Sequence, residues 1–243
     1  MKILALDSSG LVASVAVLED ENLVAEYTIQ YKKTHSQTLL PMLEEISKMI
    51  ELDLSTLDAI AVAAGPGSFT GLRIGCATAK GLGQALNKPL IGIPTVDAMA
   101  YNLYGCEKLI CPLMDARRNQ TYTGLYTFIR KGEAYELEVV KAQCAVALED
   151  ILQEINGRGK EVIFLGDGVL VFRNQIEAML QVDYSFAPAS CNRQRAAALG
   201  TLAFSYLRQG KLEKAEDHRP DYLRMSQAER ERKGKEEQRG NQN

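Results

Sequence analysis

The sequence predicts an α/β protein of two duplicated lobes, each a mixed sheet covered by helices. Three observations predict it. The chain opens on a meander of three strands and then alternates helix with strand. The order βββαβα then recurs at a spacing of roughly one hundred residues, although the side chains of the two blocks differ. Hydrophobic residues make up 46% and charged residues 24% of the 243, which sustains a buried core and rules out global disorder. A meander followed by alternating helix and strand builds a mixed sheet, and two copies leave a cleft between two lobes.

The elements follow in order. "KILAL", "LVASVAVL" and "LVAEYTIQ" are runs of strand formers separated by "DSSG" and "EDEN", residues that favour tight turns. "TLLPMLEEISKMI" repeats apolar residues at helical spacing (39, 43, 46, 50, with 42 and 49 alongside), and Pro41 must lie in its first turn because it donates no backbone hydrogen bond. "LDAIAVAA" reads as a buried strand, "FTGLRIGCATAKGLGQAL" as a helix, "PLIGI" as a strand and "TVDAMAYNLY" as a helix. These form a first lobe over residues 1–104.

The second lobe, 105–192, begins with three strands, "KLICPLMDA", "TYTGLYTFI" and "AYELEVVKA". "AVALEDILQEI" (helix), "EVIFLG" (strand) and "VLVFRNQIEAML" (helix) follow. Residues 193–224 hold a long amphipathic helix, "QRAAALGTLAFSYLRQG", and a segment expected to pack back on the first lobe. The tail 225–243 is charged, mixed in sign and almost free of apolar residues, so it is expected to be disordered.

The net charge of −3 argues against solitary tight binding of nucleic acid, which favours basic chains. Five cysteines without a CxxC pair read as reduced thiols of a cytoplasmic protein. No apolar span is long enough for a membrane helix, so no membrane partner is expected. The two histidines, His35 and His218, are far apart in sequence, so no helix-borne histidine metal pair exists and no metal is expected.

The most loaded segment is "AGPGSFTGLRIG", residues 64–75. It follows a strand and opens a helix, the setting of phosphate-binding loops. A Walker A loop needs Gly-Lys-Ser/Thr at its end, yet no lysine follows before Lys80. A dinucleotide fingerprint fits Gly65 and Gly67 but meets Thr70 at its third glycine. A structural turn capped by Ser68 or Thr70 is favoured over a phosphate site.

Behind the loop, Gly71, Gly75, Ala79 and Gly83 recur every four residues, beside a second row of Ala77, Gly81 and Ala85. Each helical glycine costs about 0.8–1 kcal/mol against alanine, so something must offset it. Close approach of another helix is the favoured reading, and packing on the chain's own sheet is the other. The expected partner interface is Leu39, Leu43, Ile46, Met49 and Ile50 on the first helix. On the second it is Gly71, Leu72, Gly75, Thr78, Ala79, Leu82 and Gly83.

"ALDSS", "THSQTLLPML", "AGPGSFTGLRIG", "AKGL", "GIPTVDAMA", "MDARRNQTY", "GDG" and "RPDYLR", in this order, resemble the bacterial TsaB (YeaZ-type) family over residues 1–224. The resemblance implies the actin-like, Hsp70-like, sugar-kinase (ASKHA) fold with two duplicated βββαβα lobes. It implies a part in forming N6-threonylcarbamoyladenosine beside the tRNA anticodon, as a non-catalytic partner subunit of the transferase TsaD together with the ATPase TsaE. The tRNA would be met through the complex, and the N-lobe helices would pair with TsaD or, in the chain alone, with a second copy.

In TsaD a pair of metal-binding histidines follows the glycine loop, and alignment brings that pair onto Thr95 and Met99 here. Neither side chain substitutes for an imidazole ligand. Asp7 with Ser8 and Ser9 resembles the first phosphate loop of actin-like ATPases, and Gly166, Asp167 and Gly168 resemble their later glycine loop. With Gly65, Gly67, Asp115 and Arg117 they would line a vestigial nucleotide cleft, though each also reads as turn chemistry or a solvated loop. No cofactor is expected for the isolated chain, with ATP, ADP and Mg entering only within the complex. A stand-alone ATP-dependent phosphotransferase or ATPase of the same fold is the alternative. A metalloprotease is disfavoured by the two-histidine inventory.

Overall fold

The computed structural model describes residues 1–20, 22–31 and 35–224. The expected disorder of the tail 225–243 lies outside the described residues. In the first lobe, β1 (Lys2–Asp7), β2 (Val12–Glu19) and β3 (Asn22–Gln30) precede α1 (Leu39–Met49), β4 (Ala59–Gly65), α2 (Phe69–Leu86), β5 (Leu90–Pro94) and α3 (Thr95–Ala100). In the second, β6 (Leu109–Asp115), β7 (Gln120–Lys131) and β8 (Ala134–Ala147) precede α4 (Leu148–Arg158), β9 (Val162–Leu165), α5 (Gly168–Met179) and β10 (Tyr184–Phe186), followed by α6 (Ala196–Arg208).

The two sheets have one topology. The first runs β3-β2-β1-β4-β5 and the second, read from its meander, β8-β7-β6-β9-β10. In each the meander is antiparallel and the last two strands run parallel to the first. This is the duplicated pair of mixed sheets, each a βββ meander followed by alternating helix and strand, that the sequence predicts. Sequence reading found every strand but β10, whose three residues, Tyr184-Ser185-Phe186, are too few to show alternation.

Both faces of the first sheet are covered, which is why β1 and β4 read as continuous apolar runs. Leu4, Leu6, Val15, Val17, Ile60 and Val62 face α1 and α2. Ile3, Ala5, Ala16, Leu18, Ala59 and Ala61 face α6. The alanines let α6 lie close, and a Cβ on its Gly200 would stand 2.3 Å from Leu18 Cδ1. In the second lobe, Cys111, Leu113, Leu125 and Phe164 face α4 and α5.

The lobes exchange their last helices. α6 leaves the second lobe to cover the first sheet, while Val96, Met99 and Ala100 of α3 pack with Ile110, Met114, Tyr126 and Phe128 of the second. Across this junction the Tyr126 hydroxyl donates to Asp97 at 2.7 Å. The start of α6 is capped from afar. Its Ala196 and Ala197 amides donate to Ser14 Oγ at 2.8 Å and Glu26 Oε1 at 3.0 Å, and Arg195 pairs with Glu26.

Candidate functional site

The glycine loop and the "DSSG" turn are built as one unit. Ser68 caps α2, accepting from the Gly71 amide at 3.3 Å, and its own amide donates to the Ser9 carbonyl at 2.6 Å. Gly65 sits at φ +121° after β4, a conformation that side-chain-bearing residues rarely adopt. A Cβ on Gly67 would stand 2.3 Å from the Ser9 carbonyl oxygen, and one on Gly71 2.0 Å from that of Ser8. The glycines therefore serve close approach of backbone to backbone. The second lobe repeats the device, since Gly166 has φ +105° and Gly168 lies against the Leu113 carbonyl.

This corrects the expected docking row. Gly75 faces Ser8 Oγ and Val62, and Gly83 faces Leu90 and Ala215. Leu72 and Ala79 are buried, as are Leu39, Leu43 and Ile46 of α1. Their apolar and small side chains meet the chain's own sheet, the reading that the sequence ranked second. Ile50 and Leu82 pack half-buried on the same core, Thr78 is half-exposed, and Met49 is 76% exposed.

α2 thus has three arcs. One faces the core. A second, through Phe69, Arg73, Cys76, Lys80 and Gly83, is covered by residues 215–222. The third holds Thr70, Ile74, Ala77, Thr78, Gly81 and Ala85, and stands in solvent, exposed or half-exposed. A Cβ on Gly81 would meet nothing within 4 Å.

The cleft between the lobes gathers part of the second predicted set. Its volume is about 490 Å³, and its lining includes Ser9, Gly67, Asp115, Arg117 and Asp167. Asp7, Ser8, Gly65, Gly166 and Gly168 lie behind the wall as its framework. Asp7 is buried, and the Ser9 amide and hydroxyl donate to its Oδ1 at 2.8 and 2.6 Å. Burial raises the Asp7 carboxyl above the ordinary aspartate range, against the pull of those hydrogen bonds. Burial also raises Asp167, whose Oδ1 has no protein partner. Asp115 accepts from the Arg117 amide and pairs with its guanidinium at 3.2 Å, at the start of three consecutive left-handed residues, Arg117 to Asn119.

Sequence reading missed His35, Phe69, Tyr122 and the segment 221–224, which also line the cleft. His35 Nε2 donates to the Gly10 carbonyl at 2.8 Å. Tyr222 stacks on Phe69, and Arg224 Nη1 donates to the Ala116 carbonyl at 2.5 Å. The available signal was a tyrosine and a leucine following Pro220 in an otherwise polar stretch. Thr95 and Met99 are buried, with Met99 in the interlobe core. Among the described residues, no group of three or more His, Cys, Asp or Glu is placed to hold a metal ion, and no helix is long and apolar enough to cross a membrane. All five cysteines are free, as read from the sequence.

A family model described as TsaD, tRNA N6-adenosine threonylcarbamoyltransferase, matches residues 22–232. The Bacillus subtilis tRNA threonylcarbamoyladenosine biosynthesis protein TsaB is 34% identical over 94% of this chain and 96% of its own length. Its Escherichia coli namesake is 30% identical over 69% of this chain and 72% of its own. Among solved structures, YeaZ from Pseudomonas aeruginosa matches with a TM-score of 0.75 at 26% identity, over 91% of this chain and all of that one. A second Pseudomonas aeruginosa structure, described as an uncharacterized protein with similarity to peptidase YEAZ, matches with a TM-score of 0.77 at 27% identity, over 92% of this chain and 99% of that one.

Proposed function

Because the chain belongs to the TsaB family of tRNA threonylcarbamoyladenosine biosynthesis proteins, we propose that it is a non-catalytic subunit of the cytoplasmic machinery that makes this modification. In this reading it binds and activates the transferase TsaD, the ATPase TsaE completes the set, and tRNA is met through the complex. Without TsaD, the same surface takes a second copy of the chain.

The observation that carries the reading is the solvent arc of α2. Thr70, Ile74, Ala77, Thr78, Gly81 and Ala85 leave that side of an 18-residue helix smooth and nearly free of charge. Small residues let a partner helix come close along its length, which replaces solvent by dense packing.

The alternative, a stand-alone ATP-dependent phosphotransferase, is less well supported. Asp7, which would have to meet a nucleotide's metal ion, is buried and engaged by Ser9. A buried Asp7 already engaged by Ser9 fits a Mg-nucleotide poorly, which supports the reading that the isolated chain holds none.

The test is co-purification with TsaD. Ala77→Arg and Gly81→Trp should each leave the isolated chain folded with no loss of melting temperature and abolish capture of TsaD. Undiminished capture by both variants sinks the interface. Micromolar binding of Mg-ATP with turnover by the isolated chain would favour the phosphotransferase.

A further inference from the structure

We propose that residues 219–224 are a releasable strap across the interlobe cleft, and that the cleft opens by peeling this strap and not by swinging the lobes apart.

The lobes are joined by buried structure. Each lends a helix to the other, and the junction includes fully buried Tyr126 bonded to Asp97. Asn102 Nδ2 also donates to the Arg193 carbonyl at 2.7 Å, and the Ala196 amide to Ser14 Oγ. Rotating one lobe against the other would expose this core and leave buried polar groups without partners, the costliest kind of change.

The segment after α6 is held in a graded way. Its first part is an anchor. Glu213 exchanges two backbone hydrogen bonds with Leu90, at 2.9 and 3.0 Å. Ala215 is buried against Gly83, and His218 is 1% exposed with Nδ1 3.3 Å from Glu213 Oε1.

Past His218 the character changes. Pro220 donates no backbone bond. The Asp221 amide donates to the Ala64 carbonyl, Tyr222 stacks on Phe69 with ring centroids 4.2 Å apart, and Arg73 Nε donates to the Tyr222 hydroxyl at 3.4 Å. On the second lobe, Gln143 Nε2 donates to Asp221 Oδ2 at 3.4 Å, and Arg224 holds the Ala116 carbonyl. These contacts reach both lobes, yet Asp221 and Tyr222 remain exposed. Water can take over the polar contacts of this exposed stretch, so it releases while the anchor stays. Release uncovers Phe69 and the Ala116 carbonyl, on which the strap lies.

Amide hydrogen exchange on the full chain, read by NMR and corrected for intrinsic rates, tests this. The Asp221 amide should exchange at least about 100-fold faster than the Glu213 amide, as expected of a sub-global opening. In the full chain carrying Tyr222→Ala and Arg224→Ala, Asp221 should speed up by about another tenfold with Glu213 unchanged. A common rate for the two amides in the unaltered chain, or an Asp221 rate indifferent to the double substitution, overturns the proposal.

Discussion

Ser8 and Gly71 meet twice. Ser8 Oγ donates to the Gly71 carbonyl at 2.9 Å, and the Ser8 carbonyl oxygen occupies the place of any Gly71 Cβ, 2.0 Å away. The first turn of α2 is thereby seated on the turn after β1, and both belong to the rear wall of the cleft.

Gly71→Ala should therefore be severe and Gly81→Ala mild, although both sit in one helix. A Cβ at 71 collides with rigid backbone, and the loss should be about 3 kcal/mol, at the upper end for overpacking. At 81 nothing is touched, and replacing a helical glycine should stabilise by about 0.5–1 kcal/mol. Urea unfolding midpoints of the two variants decide it. Equal effects would contradict the seating of α2.

Capping of α6 from β2 and β3 should be measurable. Glu26→Ala removes both an ion pair to Arg195 and the acceptor of the Ala197 amide, and should cost about 2 kcal/mol. Ser14→Ala, which removes only the Ala196 acceptor, should cost about 1 kcal/mol. A Glu26 variant as stable as the unaltered chain would mean that α6 holds without its long-range cap.

Asp7 gives a pH dependence with a definite sign. Its carboxyl is raised by burial in the folded chain, so its contribution is most favourable below the unfolded value of about 3.9 and is lost as pH rises through the folded one. Asp7→Asn keeps an oxygen for the Ser9 donors and removes the charge. Relative to the unaltered chain, the variant should gain stability between acid and neutral pH. Melting temperatures at several pH values would show the difference growing with pH, and a shrinking difference would reverse the argument.

The interlobe bond should be worth more than an exposed one. Tyr126→Phe leaves the half-buried Asp97 carboxyl without its hydroxyl donor, and should destabilise by about 1–2 kcal/mol. Calorimetry would report the loss, and a change within error would mean that solvent reaches Asp97 in the folded chain.

Strands and helices were legible where a pattern was long enough to state a period. α1 and α2 repeat their apolar and small residues over several turns, and β1 and β4 are unbroken apolar runs, so their types follow from the sequence. β10 was not legible because three residues carry no period. The cleft was half legible. Ser9, Gly67, Asp115, Arg117 and Asp167 stood out as turn or charged residues at strand ends, whereas His35, Phe69 and Tyr122 carry no local mark of their position.

By itself the sequence determined the duplicated α/β order, the turn at Gly65 and Gly67, and the kinship carried by its motifs, because these depend on residues close along the chain. Tertiary structure alone decided which side of α2 is free. Glycines at 71, 75 and 83 and the glycine at 81 have the same local propensity, and a helix period cannot say what lies opposite each. Only the folded chain brings Ser8, Leu90 and Ala215 against the first three and leaves Gly81 in solvent, because contact between distant segments is a property of the whole packing.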